Sequence, residues 1–371
     1  MILRYRRPPF LVGYWKGTRL LAHNYASGRV VAIDPELWPV LHACSSWRSL
    51  EDLTRHLHIS AARARAFVGI LTARALLQRS DAAPDARDAA MSALESWNPA
   101  AGFFHAATRD VRFLSAGAAA ALAAQRARER RMPSPVKRIR GAATVTLPAP
   151  EYAGEFPQTL LARRTWRRFG SAPVPVADVA TLLALSVGVQ HWVPTEFGRL
   201  PLKTSPSGGA RHPIEAYVCA QRVSGLAAGL YHYDAGRHRL ERIRRGDMRS
   251  RLRAWMPHSG YFAQAAFVVV LTAVLTRQVW RYPYPRAYRA ALAEAGHVCQ
   301  TFCLSATWRG LAPFCLMGLA DSLIEKDLGI DGVRETVLYV AGAGMRPRGT
   351  AWAPRTRGTL PARRNRAFDP R

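Results

Sequence analysis

The chain has 371 residues, 49% of them hydrophobic, which is enough apolar material for a sizeable core and too much for a solvated, disordered segment. Its formal charge of +28 is nearly all arginine dispersed along the chain, since only Lys16, Lys137, Lys203 and Lys326 are lysines; this is not the clustered basic tract of a nucleic-acid arm. The cysteines, Cys44, Cys219, Cys299, Cys303 and Cys315, are odd in number and lack framework spacing, which argues against a disulfide-built secreted module and for a reducing, cytoplasmic setting.

Taken in chain order, the N-terminus has arginines but no apolar stretch leading to a small-residue cleavage site, so no secretory signal is expected. Residues 10–33 predict two strands about a turn at Ala26, Ser27 and Gly28. Asp34 before Pro35 is an N-cap with proline at the first helical position, opening a short helix to about Cys44. Ser49 and Asp52 form a capping box for a second helix, and Ser60 caps a third that runs to about Leu77 with Phe67, Ile70, Leu71 and Leu76 on its apolar face. Two strands followed by three short helices predict a winged-helix-like domain over residues 1–80. Such a unit can bind DNA, or a peptide along a strand edge.

Residues 81–154 predict a helical and Pro-rich linker. Within it, Trp97, Phe103 and Phe104 form an aromatic island expected to pack on the main domain, with His105 structural. An Ala/Arg helix over 118–131 and a Pro- and Arg-rich stretch over 132–150, expected to wrap the surface, complete the segment.

The main domain is placed at 155–350, ahead of a basic tail at 351–371. Arg163, Thr165 and Arg167 project to one side of an extended segment, and planar guanidinium donors with a neutral hydroxyl suit a phosphate. A helix is expected over 176–185. In the small-residue loop from Ser205 to Ala210, Pro206 fixes one φ, Ser207 offers a hydroxyl, and Gly208 and Gly209 let the backbone approach a flat ligand. Strands follow at 214–222, 230–233, 239–244, 266–275 and 337–341, with a hairpin turn at Asp234, Ala235 and Gly236. The apolar run 265–275 is too short to cross a bilayer and is β-branched, as a buried strand is. A long helix over 288–311 has a central placement and apolar faces suited to a buried dimer spine. Cys299 and Cys303 share one of its faces and read as small core residues, with no metal site expected.

Several of these stretches resemble one family. Arg163-Arg-Thr-Trp-Arg167 resembles the flavin-phosphate motif that opens nitroreductase-family domains. Ser205-Pro-Ser-Gly-Gly-Ala210, followed by Pro213-Ile-Glu-Ala-Tyr217, is similar to the flavin-ring loop of the SagB-type dehydrogenase branch. Glu294-Ala-Gly-His-Val-Cys-Gln300, Leu316-Met-Gly-Leu-Ala-Asp321, Leu328-Gly-Ile-Asp331 and the run from Tyr339 to Gly344 continue the likeness over about 155–347. The N-terminal part, through Ile33-Asp-Pro-Glu-Leu-Trp-Pro-Val-Leu41 and Ser46-Trp-Arg-Ser-Leu-Glu-Asp-Leu53, resembles PqqD-like leader-recognition domains.

The resemblance implies an α+β nitroreductase fold with a mixed sheet wrapped by helices, and an FMN-binding homodimer. It assigns Arg163, Thr165 and Arg167 to the FMN phosphate and ribityl chain, with Arg346 as a further phosphate ligand. Pro206, Ser207 and Gly208 lie along the flavin edge, and Met317 and Gly318 face flavin N5. The implied activity is oxidation of thiazoline or oxazoline rings in a ribosomally made precursor peptide, beside cyclodehydratase subunits. A nicotinamide-dependent nitro or quinone reductase, and a non-catalytic peptide- or DNA-binding subunit, are the competing classes. Azoline oxidases of this branch carry a Lys-Tyr pair before the long helix; here Tyr282 matches the tyrosine, but Arg281 stands in place of the lysine. Arginine stays protonated, so Arg281 is expected to act as a fixed cation and Tyr282 as the proton acceptor.

Overall fold

In the computed structural model of the protein, residues 2–83, 86–94, 96–111, 114–129, 147–148, 151–196 and 198–349 are described. The N-terminal unit contains β1 (Arg4–Arg6), β2 (Leu11–Lys16), β3 (Arg19–Asn24), β4 (Arg29–Ala32), α1 (Trp38–Ala43), β5 (Arg48–Ser49), α2 (Leu50–Leu57), α3 (Ala61–Ala73) and β6 (Gln78–Arg79). The expected strand pair is a three-stranded antiparallel meander, β2-β3-β4, because Gly17, at φ +61°, turns the chain back within the first predicted strand. A second small sheet pairs β1 with β5 and β6. The predicted caps are formed: Ser49 Oγ accepts from Asp52 N at 3.1 Å while the Asp52 carboxylate accepts from Ser49 N at 2.9 Å, and Ser60 Oγ accepts from Arg63 N at 3.2 Å. α3 stops before Leu77, since Ala75 turns left-handed at φ 53° and drops Leu76 and Leu77 into the core beside Leu41, Leu53 and Leu71.

The linker carries α4 (Ala86–Met91), α5 (Pro99–Ala107) and α6 (Ala116–Glu129). Asn98 caps α5 through Ala101 N at 3.0 Å, with Pro99 at its first position. The expected aromatic packing is present. Phe103 meets Tyr14, His23 and Tyr25 of the N-terminal sheet, while Trp97 and His105 meet Tyr288 of the main domain. Tyr25 and Trp97 therefore belong to the main apolar cluster, and α5 is a wedge between the two units rather than a loose tether. Arg109 pairs with buried Glu325 to fix it. The surface-wrapping stretch expected at 132–150 lies outside the described residues apart from 147–148, and the tail 351–371 lies wholly outside them.

The main domain runs α7 (Glu155–Ala162), β7 (Val174–Pro175), α8 (Val176–Ser186), β8 (His191–Thr195), β9 (Gly198–Leu202), β10 (Ile214–Ala220), β11 (Val223–Ser224), β12 (Gly229–Asp234), β13 (Arg239–Arg245), α9 (Arg249–Trp255), β14 (Phe267–Val274), α10 (Leu275–Arg281), α11 (Arg286–Trp308), β15 (Leu311–Leu316), α12 (Asp321–Leu328) and β16 (Glu335–Met345). Six strands form the central sheet in the order β13-β12-β10-β14-β16-β15. Its pairings are antiparallel; β7 and β11 pair in parallel beside it. Period-two alternation sorts its side chains: Ala216, Val218, Val269 and Leu271 face α8 and α11, whereas Cys219, Val268 and Val270 face α9 and α12. The helix predicted over 288–311 ends earlier, at Trp308, and Gly310 at φ +73° turns the chain into β15, a strand the sequence reading did not assign. No described helix is long and apolar enough to cross a membrane.

Candidate active site

Two groups of predicted site residues converge on α11 and β15. The first is the loop after β9. Gly209, Ala210 and His212 are at φ 58°, 50° and 41°, so two non-glycine residues hold left-handed backbone within four positions. Such conformations cost about 1–2 kcal/mol each and persist only where surroundings fix them. Here Ser207 Oγ accepts from His212 N at 2.8 Å, and Glu294 Oε1 on α11 accepts from Gly208 N at 3.1 Å. Gln278 Nε2, buried on α10, donates to the same Glu294 oxygen at 2.9 Å. Burial lifts the Glu294 carboxyl above its ordinary range, against the Ser207 hydroxyl, Gly208 N–H and Gln278 amide that favour the charged form.

Tyr282, just past the end of α10, closes over this loop. A Cβ built on Gly209 would lie 2.8 Å from the Tyr282 hydroxyl and 3.6 Å from Arg281 Cγ, so glycine is what allows the tyrosine to sit there. Tyr284 packs on Tyr282 at 5.9 Å between ring centres. Pro206, Ser207, Gly208, Arg281 and Tyr282 are thus brought together.

The second group lines the far end of α11. Trp166 N donates to Pro313 O at 2.9 Å, which docks residues 163–167 onto β15; the same strand leads directly into Met317 and Gly318. Arg163 and Thr165 are half-buried and Arg167 is exposed. Among the described residues, neither the Arg163 nor the Arg167 guanidinium has a carboxylate partner or a hydrogen bond. Two permanent cations left without an anion, one of them half-buried, fit an anionic group from outside the chain. Arg346 is placed differently: its Nε donates to Leu311 O at 3.1 Å and an Nη to Thr307 O at 3.2 Å, while its guanidinium lies over Trp166. It caps the carbonyl end of α11 and has donors committed to the backbone.

Sequence reasoning did not single out Glu294 or Gln278 as site residues, although a carboxylate in an apolar helix face was the available signal. It also missed a cavity of about 660 Å³ beside the loop, lined by Trp192, Lys203, His212, Glu215, Arg277 and Trp280 among others. Burial lowers the Lys203 ammonium, against the pull of Glu215, and burial together with Lys203 brings His212 down to about 4. His232 bridges Glu215 and Glu241 at 3.0 and 3.2 Å, and these bonds raise its pKa, led by that to Glu215. The cavity therefore joins two indole walls to a floor of both charges. These residues come from the β8–β9 hairpin, the loop that follows it, β10, β12 and α10, so no local spacing reveals them.

Residues 160–345 match the nitroreductase family. The chain belongs to the nitroreductase family. It is 31% identical over 171 residues to MJ1384 of Methanocaldococcus jannaschii, a protein named for nitroreductase, covering 46% of this chain and 82% of that one. It is 32% identical over 142 residues to the trifolitoxin-processing protein TfxB of Rhizobium leguminosarum bv. trifolii, covering 37% of this chain and 38% of TfxB. The microcin B17-processing protein McbC of Escherichia coli is 30% identical over 131 residues, covering 34% of this chain and 48% of McbC. The nitroreductase-family chain thus spans less than half the length of either processing protein. Among solved structures, a chain of the E. coli microcin synthetase McbBCD complex with truncated pro-MccB17 bound gives 22% identity and a TM-score of 0.46, covering 63% of this chain and 84% of that one.

Proposed function

We propose that this nitroreductase-family protein is an FMN-dependent dehydrogenase of the SagB type, which oxidises thiazoline or oxazoline rings of a precursor peptide to azoles. The observation that carries the reading is the seat of Tyr282 over the loop from Pro206 to Gly209, a loop held in strained backbone by Glu294 and opening beside a cavity of about 660 Å³. The likeness to two peptide-processing proteins supports a peptide substrate.

Arg163 and Arg167 would hold the FMN phosphate, with Thr165 at the ribityl chain, and Gly208 with its neighbours would line the flavin edge. When bound, FMN supplies the two-electron acceptor, which oxygen restores. The chain's own residues supply the rest. Gly208 and Gly209 let Tyr282 seat directly against the loop, where its oxygen, as the phenolate, would accept the acidic ring proton. Arg281 flanks that hydroxyl as a permanent cation and holds the substrate carbonyl. Trp192 and Trp280 supply flat apolar walls for peptide rings, and Lys203, Glu215 and Arg277 anchor the peptide backbone. Residues 1–80 recognise the leader, and cyclodehydratase subunits present the substrate. The exposed apolar side chains of Phe156, Leu160 and Trp308 suit a homodimer face, whereas α11 is buried largely by its own chain.

The test is incubation with a heterocyclised precursor peptide, read by mass spectrometry as the loss of two hydrogen atoms per ring. Turnover of nitro compounds or quinones with a nicotinamide donor and none of the peptide would favour the reductase reading instead.

A further inference from the structure

Apart from the candidate flavin loop, the most unusual chemistry in the molecule is where α11 crosses β15. Cys299 and Cys303 are one helical turn apart, so they share the face that packs on the sheet. On β15 the alternation sends Phe314 to the opposite layer and Cys315 toward α11. The three sulfur atoms all lie within 4.8 Å of one another, and this is the one group of three or more metal-ligating side chains so gathered among the described residues. Cys299 and Cys303 are each 3% exposed, while Cys315 is partly open. Outside the cluster, the Cys303 thiol reaches only Phe314 O at 3.9 Å. Two polar side chains border the cluster: Tyr339 beside Cys315, and Arg163 near Cys303 and Cys315.

We propose that Cys299, Cys303 and Cys315 form a zinc site, with a fourth position open toward Tyr339. Zinc–thiolate bonds of about 2.3 Å place tetrahedral ligand sulfurs about 3.8 Å apart, so the thiols need only close slightly around the ion. Three thiolates and a divalent cation sum to one negative charge, and Arg163 is the neighbouring positive group. A hydroxyl or water on the open side of Cys315 completes a tetrahedron, which favours zinc over a monovalent soft ion that is content with thiolates alone. Apolar packing alone needs no such convergence, and a disulfide would use two of the three sulfurs and strand the last. The ion would tie α11 to β15 directly before Met317 and Gly318, fixing the loop assigned to the flavin. The site itself stands on the thiols, independently of the azoline reading.

The test uses the full-length protein with its thiols reduced. Zinc competition against a chromophoric chelator and metal analysis after dialysis are expected to give one tightly held zinc per chain. Cobalt substitution is expected to give tetrahedral d–d bands at longer wavelengths than flavin absorbs, with the three thiols protected from alkylation. A Cys299→Ala/Cys303→Ala variant that keeps the wild-type far-ultraviolet circular dichroism should take up no metal. The proposal is overturned if the reduced wild type binds no zinc, if the variant binds it equally well, or if mass analysis finds a native disulfide among these cysteines.

Discussion

His105 gives a sharp test of whether the linker is built into the main core. The ring is 2% exposed; Nε2 lies 2.9 Å from Gly332 O and Nδ1 lies 3.0 Å from the Tyr288 hydroxyl. The carbonyl can only accept, so Nε2 carries the proton and Nδ1 accepts from tyrosine, which makes the neutral ring the one that fits. Burial pushes its pKa from 6.5 down to about 4. Because the folded value is the lower one, the stabilisation is fully present above about 6.5 and is lost as the pH falls toward 4; that gap corresponds to about 3 kcal/mol. Glu325 works in the opposite sense, since burial raises it to about 7 against the pull of Arg109, so lowering the pH relieves its cost. The wild-type curve therefore mixes two effects, and the informative quantity is its difference from His105→Gln, which keeps an N–H for Gly332. Urea unfolding at a series of pH values should show the stability advantage of wild type over this variant shrinking by about 3 kcal/mol between pH 7 and 4. Parallel curves for the two proteins would refute the buried neutral imidazole and the wedge it anchors.

Other perturbations address the site. Replacing Arg163 and Arg167 together by Ala should strip flavin, each charge-assisted contact being worth about 1.5–3 kcal/mol, and full flavin absorbance in the purified variant would show the motif to be misassigned. Gly209→Ala puts a Cβ 2.8 Å from the Tyr282 hydroxyl at a φ of +58°; kcat should fall with flavin retained, and unchanged turnover would separate Tyr282 from the loop. Trp15, 61% exposed on β2, is a probe of leader binding. Trp15→Ala should raise KM for the full-length precursor and leave a leaderless substrate unaffected, and equal effects on both would remove this sheet from leader recognition.

Much of this arrangement was legible in the sequence because its signals are local. Caps at Ser49 and Ser60, the small-residue loop before Ile214, the β-branched run into β14 and the long α11 all follow from spacing within a few residues. The misses are non-local. The helix looked longer, to Leu311, because only Gly310 marks its end, β15 beyond it went unassigned, and the first strand looked continuous because Gly17 alone divides it. Arg346 looked free for phosphate until the fold brought the carbonyl end of α11 to it. The cavity around Lys203 and Arg277, and the arrival of Cys315 beside Cys299 and Cys303, depend on strands distant in sequence, and no periodicity records such a meeting.

The most direct measurement of the proposed activity compares wild type, Tyr282→Phe and Arg281→Lys on a heterocyclised precursor peptide, following azole formation by mass and bound flavin by absorbance. Wild type should convert azoline to azole, Arg281→Lys should retain measurable conversion, and Tyr282→Phe should bind flavin normally yet leave the rings unoxidised. Wild-type rates in Tyr282→Phe, or no ring oxidation by the flavin-loaded wild type, would contradict the proposed role of this protein.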